Sequence, residues 1–215
     1  MIDLLIAGII RSGTTALAAL LHAPPKQVVL IEQRPFREKV QREIATLQEA
    51  DTKVACKEVN SFSIKKVVAC CCPLHTILVV RDPYSIAMSA FDWSQRGHPS
   101  GMTADDMQSW ILAGAETLLE FPSTTLVLRY EEFAAKPTIA EELFRDLGWD
   151  MQQEIHIGPE WRYRSDEVLR HRGRLSSASL RRWEEKCSDA SQRFANQLLS
   201  ESVIQQYTSR FCAKQ

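Results

Sequence analysis

The stretch Gly8-Ile9-Ile10-Arg11-Ser12-Gly13-Thr14-Thr15 decides how this chain is read. It grows out of residues 4–10, an apolar run of the kind that forms a strand buried on both faces. It leads into residues 14–22, where Leu17, Leu20 and Leu21 share one helical face until Pro24 and Pro25 stop the pattern. A strand, a tight glycine-containing turn and a helix start gather several backbone N–H groups around one point. The helix dipole adds positive potential there, so the junction suits a phosphate. The competing reading is an ordinary glycine turn in an α/β protein.

The same alternation continues along the chain. Residues 28–31, 53–56, 76–80 and 125–128 read as further buried strands, and residues 36–50 carry Phe36, Val40, Ile44 and Leu47 at helical spacing. Residues 64–71 form a further helical pattern, and residues 83–96 open with Pro83 at the first helical position behind Asp82 as N-cap. Thr103 and Asp106 resemble a capping pair for residues 103–121, and Gly148 ends a helix over residues 139–147. Strands without polar alternation, separated by helices, specify a mostly parallel sheet covered on both faces: a three-layer α/β fold of about five strands. Beyond residue 148 the patterns are an irregular stretch and two helices, 177–187 and 191–212. The expected organisation is a single domain over 1–215. Residues 1–148 form its α/β core, and residues 149–215 a helical C-terminal cap closing over the site. Residues 97–105 are the most loop-like insertion.

A chain of 215 residues has length for one domain and for a core that needs no disulfide or metal staple. With 26 basic and 27 acidic side chains, bulk electrostatics exclude a polybasic binder of nucleic acid or membrane surfaces. The six cysteines form no C-x-x-C pair, and Cys70, Cys71 and Cys72 are consecutive, which fits free thiols in a reducing, cytoplasmic setting. The run at 4–10 is too short to span a bilayer and lacks the positive region of a signal peptide.

The spacing of Gly8 and Gly13 matches the G-x-x-x-x-G of a P-loop, which continues with Lys and then Ser or Thr. Here Thr14 stands at the lysine position, and the basic residue, Arg11, lies inside the loop. An ATP or GTP hydrolase built this way loses its reach to the β- and γ-phosphates. A second anion-binding pattern follows the fourth strand: Arg81-Asp82-Pro83-Tyr84-Ser85-Ile86-Ala87-Met88-Ser89. Arg81 ends a parallel strand, at the edge where open α/β sheets bind ligands. Ser89 returns two helical turns beyond the cap, close to the face of the helix start. A guanidinium and a hydroxyl there can hold a second phosphate.

Together these two stretches resemble the sulfotransferases that use 3′-phosphoadenosine-5′-phosphosulfate (PAPS). Their 5′-phosphosulfate loop reads as a basic residue followed by S-G-T-[ST], as in Arg11-Ser12-Gly13-Thr14-Thr15. Their 3′-phosphate motif sets an Arg and a Ser eight positions apart, as Arg81 and Ser89 are. The resemblance implies a P-loop-like fold, PAPS as donor and 3′-phosphoadenosine-5′-phosphate (PAP) as product. It also implies cofactor contacts from Arg11, Ser12, Gly13, Thr14, Thr15, Arg81 and Ser89. Leu126-Val127-Leu128-Arg129-Tyr130-Glu131 is similar to the family's fifth-strand segment, read here as structural with Arg129 paired to Glu131.

Sulfuryl transfer needs an acceptor in line with the leaving phosphate, a base for its proton and cations for the charge that develops. The transferred group carries less charge than a phosphoryl group, so no metal clamp is obligatory. Small-molecule members of the family often carry a catalytic histidine in a K-x-H segment. Here the stretch reads Lys57-Glu58-Val59, with valine at the histidine position. Carbohydrate- and tyrosine-sulfating relatives use a glutamate after the second strand, which makes Glu32 the candidate base, with Lys57 stabilising charge and Arg11 assisting. Glu58 is the alternative base; the bland alternative is that Glu32 pairs with Arg34 or Arg37. None of the five histidines occupies a catalytic spacing.

Seven arginines between positions 162 and 182 are the local exception to charge balance. Arg172-Gly173-Arg174-Leu175-Ser176-Ser177 loosely resembles the family loop that folds over the 3′-phosphate, which makes Arg172 and Arg174 candidate contacts. Phe36, Phe91, Trp93 and residues 97–105 are the expected acceptor walls, suiting a small-molecule, sugar or carrier-borne acceptor with a hydroxyl or an amine. No nucleic-acid partner and no membrane span are expected, and a homodimer stays open. Two rivals remain: a P-loop small-molecule or nucleoside kinase using ATP and Mg²⁺, and a nucleotide-binding module without catalysis.

Overall fold

The computed structural model describes residues 1–32, 35–96, 101–152 and 187–213. Five strands form one parallel sheet: β1 (Leu4–Gly8), β2 (Gln27–Ile31), β3 (Lys53–Glu58), β4 (His75–Val80) and β5 (Leu126–Arg129), in the order β2-β3-β1-β4-β5. All five coincide with the apolar runs of the sequence, but β5, read as buried, is an edge strand of the sheet with Leu126 and Val127 exposed and only Leu128 buried. In register, Ile31 lies opposite Lys57, Ala7 opposite Glu58, Gly8 opposite Val79 and Val80 opposite Arg129. All the strands therefore end at one edge. The chain leaves β1 toward β2 on one side and crosses back to β4 on the other, so β1 marks the switch point where such sheets bind ligands.

Alternate residues of each strand feed two cores, one on each face. One core joins Leu5, Ala7, Val54, Leu78 and Val80 to the helices α2 (Glu38–Glu49), α3 (Ser61–Cys71), α4 (Pro83–Gln95) and α5 (Ala104–Leu119). The other joins Leu4, Ile6, Val29, Ile77 and Val79 to α1 (Thr14–Leu21), α6 (Tyr130–Ala135) and α7 (Thr138–Asp146). Asp82 caps α4 by accepting the Ser85 N–H at 2.8 Å, with Pro83 in its first turn. Thr103 and Asp106 form a reciprocal capping box on α5. No helix among the described residues is long and apolar enough to cross a membrane.

The C-terminal helical pattern read at 191–212 is broken. α8 (Asp189–Ser200) stops at Glu201, whose φ of −69° and ψ of 133° are extended, before α9 (Ser202–Tyr207) and a π turn over Thr208–Cys212. The break lets these segments cover the α4 and α5 side: Phe194, Leu198, Ile204 and Tyr207 all enter the first core. The helix read at 177–187 and the arginine-rich run lie almost entirely outside the described residues.

Candidate functional site

The loop after β1 turns sharply. The Ser12 N–H donates to the Ile9 carbonyl at 3.0 Å, Arg11 has φ 70° and Gly13 has φ 92°. Only glycine adopts the Gly13 conformation without cost, and a Cβ there would meet the Tyr130 ring at 2.2 Å. At Gly8 a Cβ would meet Ser12 Oγ at 2.4 Å and the Thr14 methyl at 2.6 Å, so the loop can fold this tightly only over a hydrogen. Thr14 is buried with its methyl turned to Gly8. Asn60, Asp82, Thr103 and Ser188 cap their helices with side chains, whereas α1 has no side-chain cap at Gly13. The first N–H groups of a helix have no partners within it, so this end carries donors toward the loop.

Arg81 leaves the end of β4 and turns to this loop. Its Nη1 donates to the Arg11 carbonyl at 3.0 Å, and its guanidinium lies 4.5 Å from the centre of the Tyr130 ring. Arg11 reaches the other way, its Nε donating to Ser89 Oγ on α4 at 3.0 Å. The two stretches singled out in the sequence thus interlock through Arg11, at its backbone with Arg81 and at its side chain with Ser89. Burial pushes the Arg81 guanidinium below its usual range, with the ring and carboxylate of Tyr130 and Glu131 opposing. Among the described residues, Ser12 Oγ and Arg81 Nε are buried without a hydrogen-bond partner. An unpaired buried polar group costs about 1–3 kcal/mol, more if charged, so the loop and the arginine both lack something that accepts hydrogen bonds. The cradle, the loop donors and the guanidinium fit anionic groups such as phosphates.

On the other side of β1, the Glu32 N–H donates to the Lys57 carbonyl at 2.9 Å, and Glu32 takes a φ of 52°. A positive φ at a residue with a Cβ costs of order 1–3 kcal/mol and persists where surrounding contacts impose it. Here it turns the Glu32 carboxylate onto Lys57 Nζ in a close ion pair. The Lys57 side chain is 3% exposed and that of Glu32 is 31% exposed, so the cation is sealed while its partner faces outward. Glu58, next along β3, is buried and accepts from Cys56 Sγ at 3.7 Å; burial, with the Glu58 carboxylate beside it, holds that thiol well above its ordinary range.

Other expectations are redirected. Phe91 packs on Phe194 of α8 at 5.6 Å, a core contact rather than an acceptor wall, because α8 covers that face of α4. Phe36 instead meets Phe62 edge to face at 6.4 Å. Trp93 packs against the first core. Arg129 pairs with Glu132 at 3.6 Å rather than with Glu131, whose carboxylate accepts the Asp82 N–H at 3.0 Å. His22 is buried and accepts the Val29 N–H at Nδ1. Arg172, Arg174 and residues 97–100, with His98, lie outside the described residues. Sequence reasoning passed over Tyr130 as a site residue, although it is the tyrosine of the R-Y-E segment at the same sheet edge.

Compared by sequence, the chain matches no family model and no curated protein. Compared by structure, it is similar to the sulfotransferase domain of the Synechococcus PCC 7002 olefin synthase, with TM-score 0.59 and 14% identity over 94% of this chain and 95% of that one. The sulfotransferase domain of the curacin biosynthetic pathway gives TM-score 0.61 and 14% identity over 93% of this chain and 98% of that one. A mouse sulfotransferase complexed with PAP gives TM-score 0.52 and 14% identity over 97% and 88%. The chain has the fold of these proteins.

Proposed function

We propose that this chain is a PAPS-dependent sulfotransferase acting on a hydroxyl or amine acceptor. One observation carries the reading: at the switch point of the sheet, a glycine cradle and Arg81 present buried polar atoms without partners, next to an outward-facing Glu32 held by a sealed Lys57. PAPS would supply an activated sulfuryl group and leave as PAP. The backbone of residues 11–15 holds the 5′ side of the nucleotide, and Arg81 with Ser89 the 3′-phosphate. Arg172 and Arg174 belong to the same proposal as further 3′ contacts. Glu32 takes the proton from the acceptor as the acceptor atom bonds to sulfur. Lys57 keeps a positive charge beside the reacting centre, and Arg11 adds a second from the loop. Phe36 and Phe62 follow the strands that carry Glu32 and Lys57. Phe62 is 62% exposed, so an apolar or sugar acceptor would find an aromatic surface there.

Titration calorimetry with PAP and with ATP tests the donor site, and a labelled-sulfate transfer screen over hydroxyl, amine and carrier-borne acceptors tests the reaction. Tight binding of PAP and transfer to some acceptor are expected. Tight binding of ATP alone would replace the reading with a kinase. PAP binding without transfer to any acceptor would leave a nucleotide-binding module.

A further inference from the structure

The backbone of Arg81 is gripped by the far end of the chain. The Tyr207 hydroxyl accepts the Arg81 N–H at 3.1 Å and donates to the Arg81 carbonyl at 3.3 Å, across 126 residues of sequence. Cys212 Sγ reaches the same carbonyl at 3.7 Å. Tyr207 is fully buried and packs on Phe211 with ring centres 5.2 Å apart. One phenol thus satisfies both peptide groups of the residue at which β4 gives way to α4. That junction sets where the guanidinium stands over Tyr130 and beside the Arg11 carbonyl. The core of the domain would be filled equally well by phenylalanine; the hydroxyl serves the Arg81 backbone.

We infer that Tyr207 is a positioning residue for 3′-phosphate recognition, acting through Arg81 rather than by touching the nucleotide. The inference rests on the proposed use of an adenosine bisphosphate. The C-terminal helices, expected to close over the cofactor, thereby act from beneath as a strut for the arginine that holds it. Burial keeps the phenol well above its ordinary range, so it stays protonated and can accept and donate at once.

The test compares PAP with adenosine 5′-monophosphate, which lacks the 3′-phosphate, by calorimetry on the full chain, with thermal melts alongside. Wild-type protein should prefer PAP. Tyr207→Phe should cut that preference by about tenfold, since buried peptide groups lose their partners, while affinity for the monophosphate changes by less than about threefold. Phe211→Leu, which disturbs the same packing but keeps the hydroxyl, should lower the melting temperature and leave the preference intact. A folded Tyr207→Phe with an unchanged preference overturns the inference. So does equal weakening of both nucleotides, or a loss in Phe211→Leu that matches it. Should Tyr207→Phe not fold, Cys212→Ala should cut the preference by about threefold; no change there overturns the inference. A wild-type chain that does not distinguish the two nucleotides overturns the donor assignment itself, and the inference with it.

Discussion

The two sides of the loop after β1 handle their cations in opposite ways. Toward β2 and β3, Lys57 is sealed from water and paired with Glu32 within the chain. Toward β4 and β5, Arg81 is also buried but is held by a carbonyl, an aromatic face and its own backbone contacts, with Nε lacking a partner. The first arrangement is complete at rest and has a carboxylate to offer an acceptor. The second is incomplete at rest, and an anion would complete it. In the proposed function, anchoring falls to one side and transfer to the other, and the division can be broken by substitutions that should act on one function only.

The largest expected effect is on turnover. Glu32→Gln should slow sulfuryl transfer by roughly 10²–10⁴-fold, the usual loss on removing a general base, while calorimetry shows PAP affinity close to wild type. The same change leaves buried Lys57 without its carboxylate and should lower stability by about 1–3 kcal/mol in denaturant unfolding. Unchanged turnover would move the base to Glu58. Next in size, Arg81→Ala should weaken PAP roughly 100-fold, as for a lost charge-assisted contact to phosphate, and remove most of the melting-temperature rise that PAP gives the wild type. Equal PAP affinities in Arg81→Ala and the wild type would erase the distinction between the two sides.

A smaller effect tests the platform both sides share. Gly13→Ala places a Cβ against the Tyr130 ring in a backbone conformation that costs about 1–2 kcal/mol even without a clash. Since Tyr130 also carries the Arg81 guanidinium, the variant should lose both stability and PAP affinity. Loss of stability with affinity intact would separate the ring from the anchoring side.

What the sequence made legible follows from what is local. Buried strands need continuous apolar runs, so all five strands were readable, although the edge strand β5 leaves Leu126 and Val127 exposed, and the caps at Asp82 and Thr103 are short-range hydrogen bonds written within three residues. The loop was readable because its turn requires glycine at Gly8 and Gly13. The grip of Tyr207 on Arg81 was not, because an aromatic residue in a helix reads as core and its partner lies 126 positions away. Phe91 was misread for the same reason: helical periodicity says that it is buried, and only the packing of α8 says against what. The break at Glu201 carries neither glycine nor proline, so the pattern at 191–212 ran through it. The alternation of strands says that their ends share an edge, but it does not say that Arg11 joins the two phosphate motifs through opposite ends of one residue.

The smallest effect concerns the pH range in which the anchoring side holds together. Beneath Arg81, burial and the nearby carboxylates of Glu131 and Asp82 push the Cys212 thiol up to about 12, and burial holds the Tyr207 phenol well above its ordinary value. Both groups are neutral acids stabilised in the folded state. Their contribution is complete below the values of the unfolded chain, about 8.5 for a thiol and about 10 for a phenol, and declines as pH rises from there through the folded-state values. Urea midpoints should therefore fall between about pH 8.5 and 11, and Cys212→Ala should make the early part of that decline shallower without abolishing it, because burial also raises the thiols of Cys56 and Cys71. At pH 9, Tyr207 and Cys212 are still neutral in the native state and PAP affinity should be retained, although less of the chain's stability remains. A midpoint that is flat to pH 11 in both proteins would mean that the Arg81 strut is looser in solution than its three contacts describe.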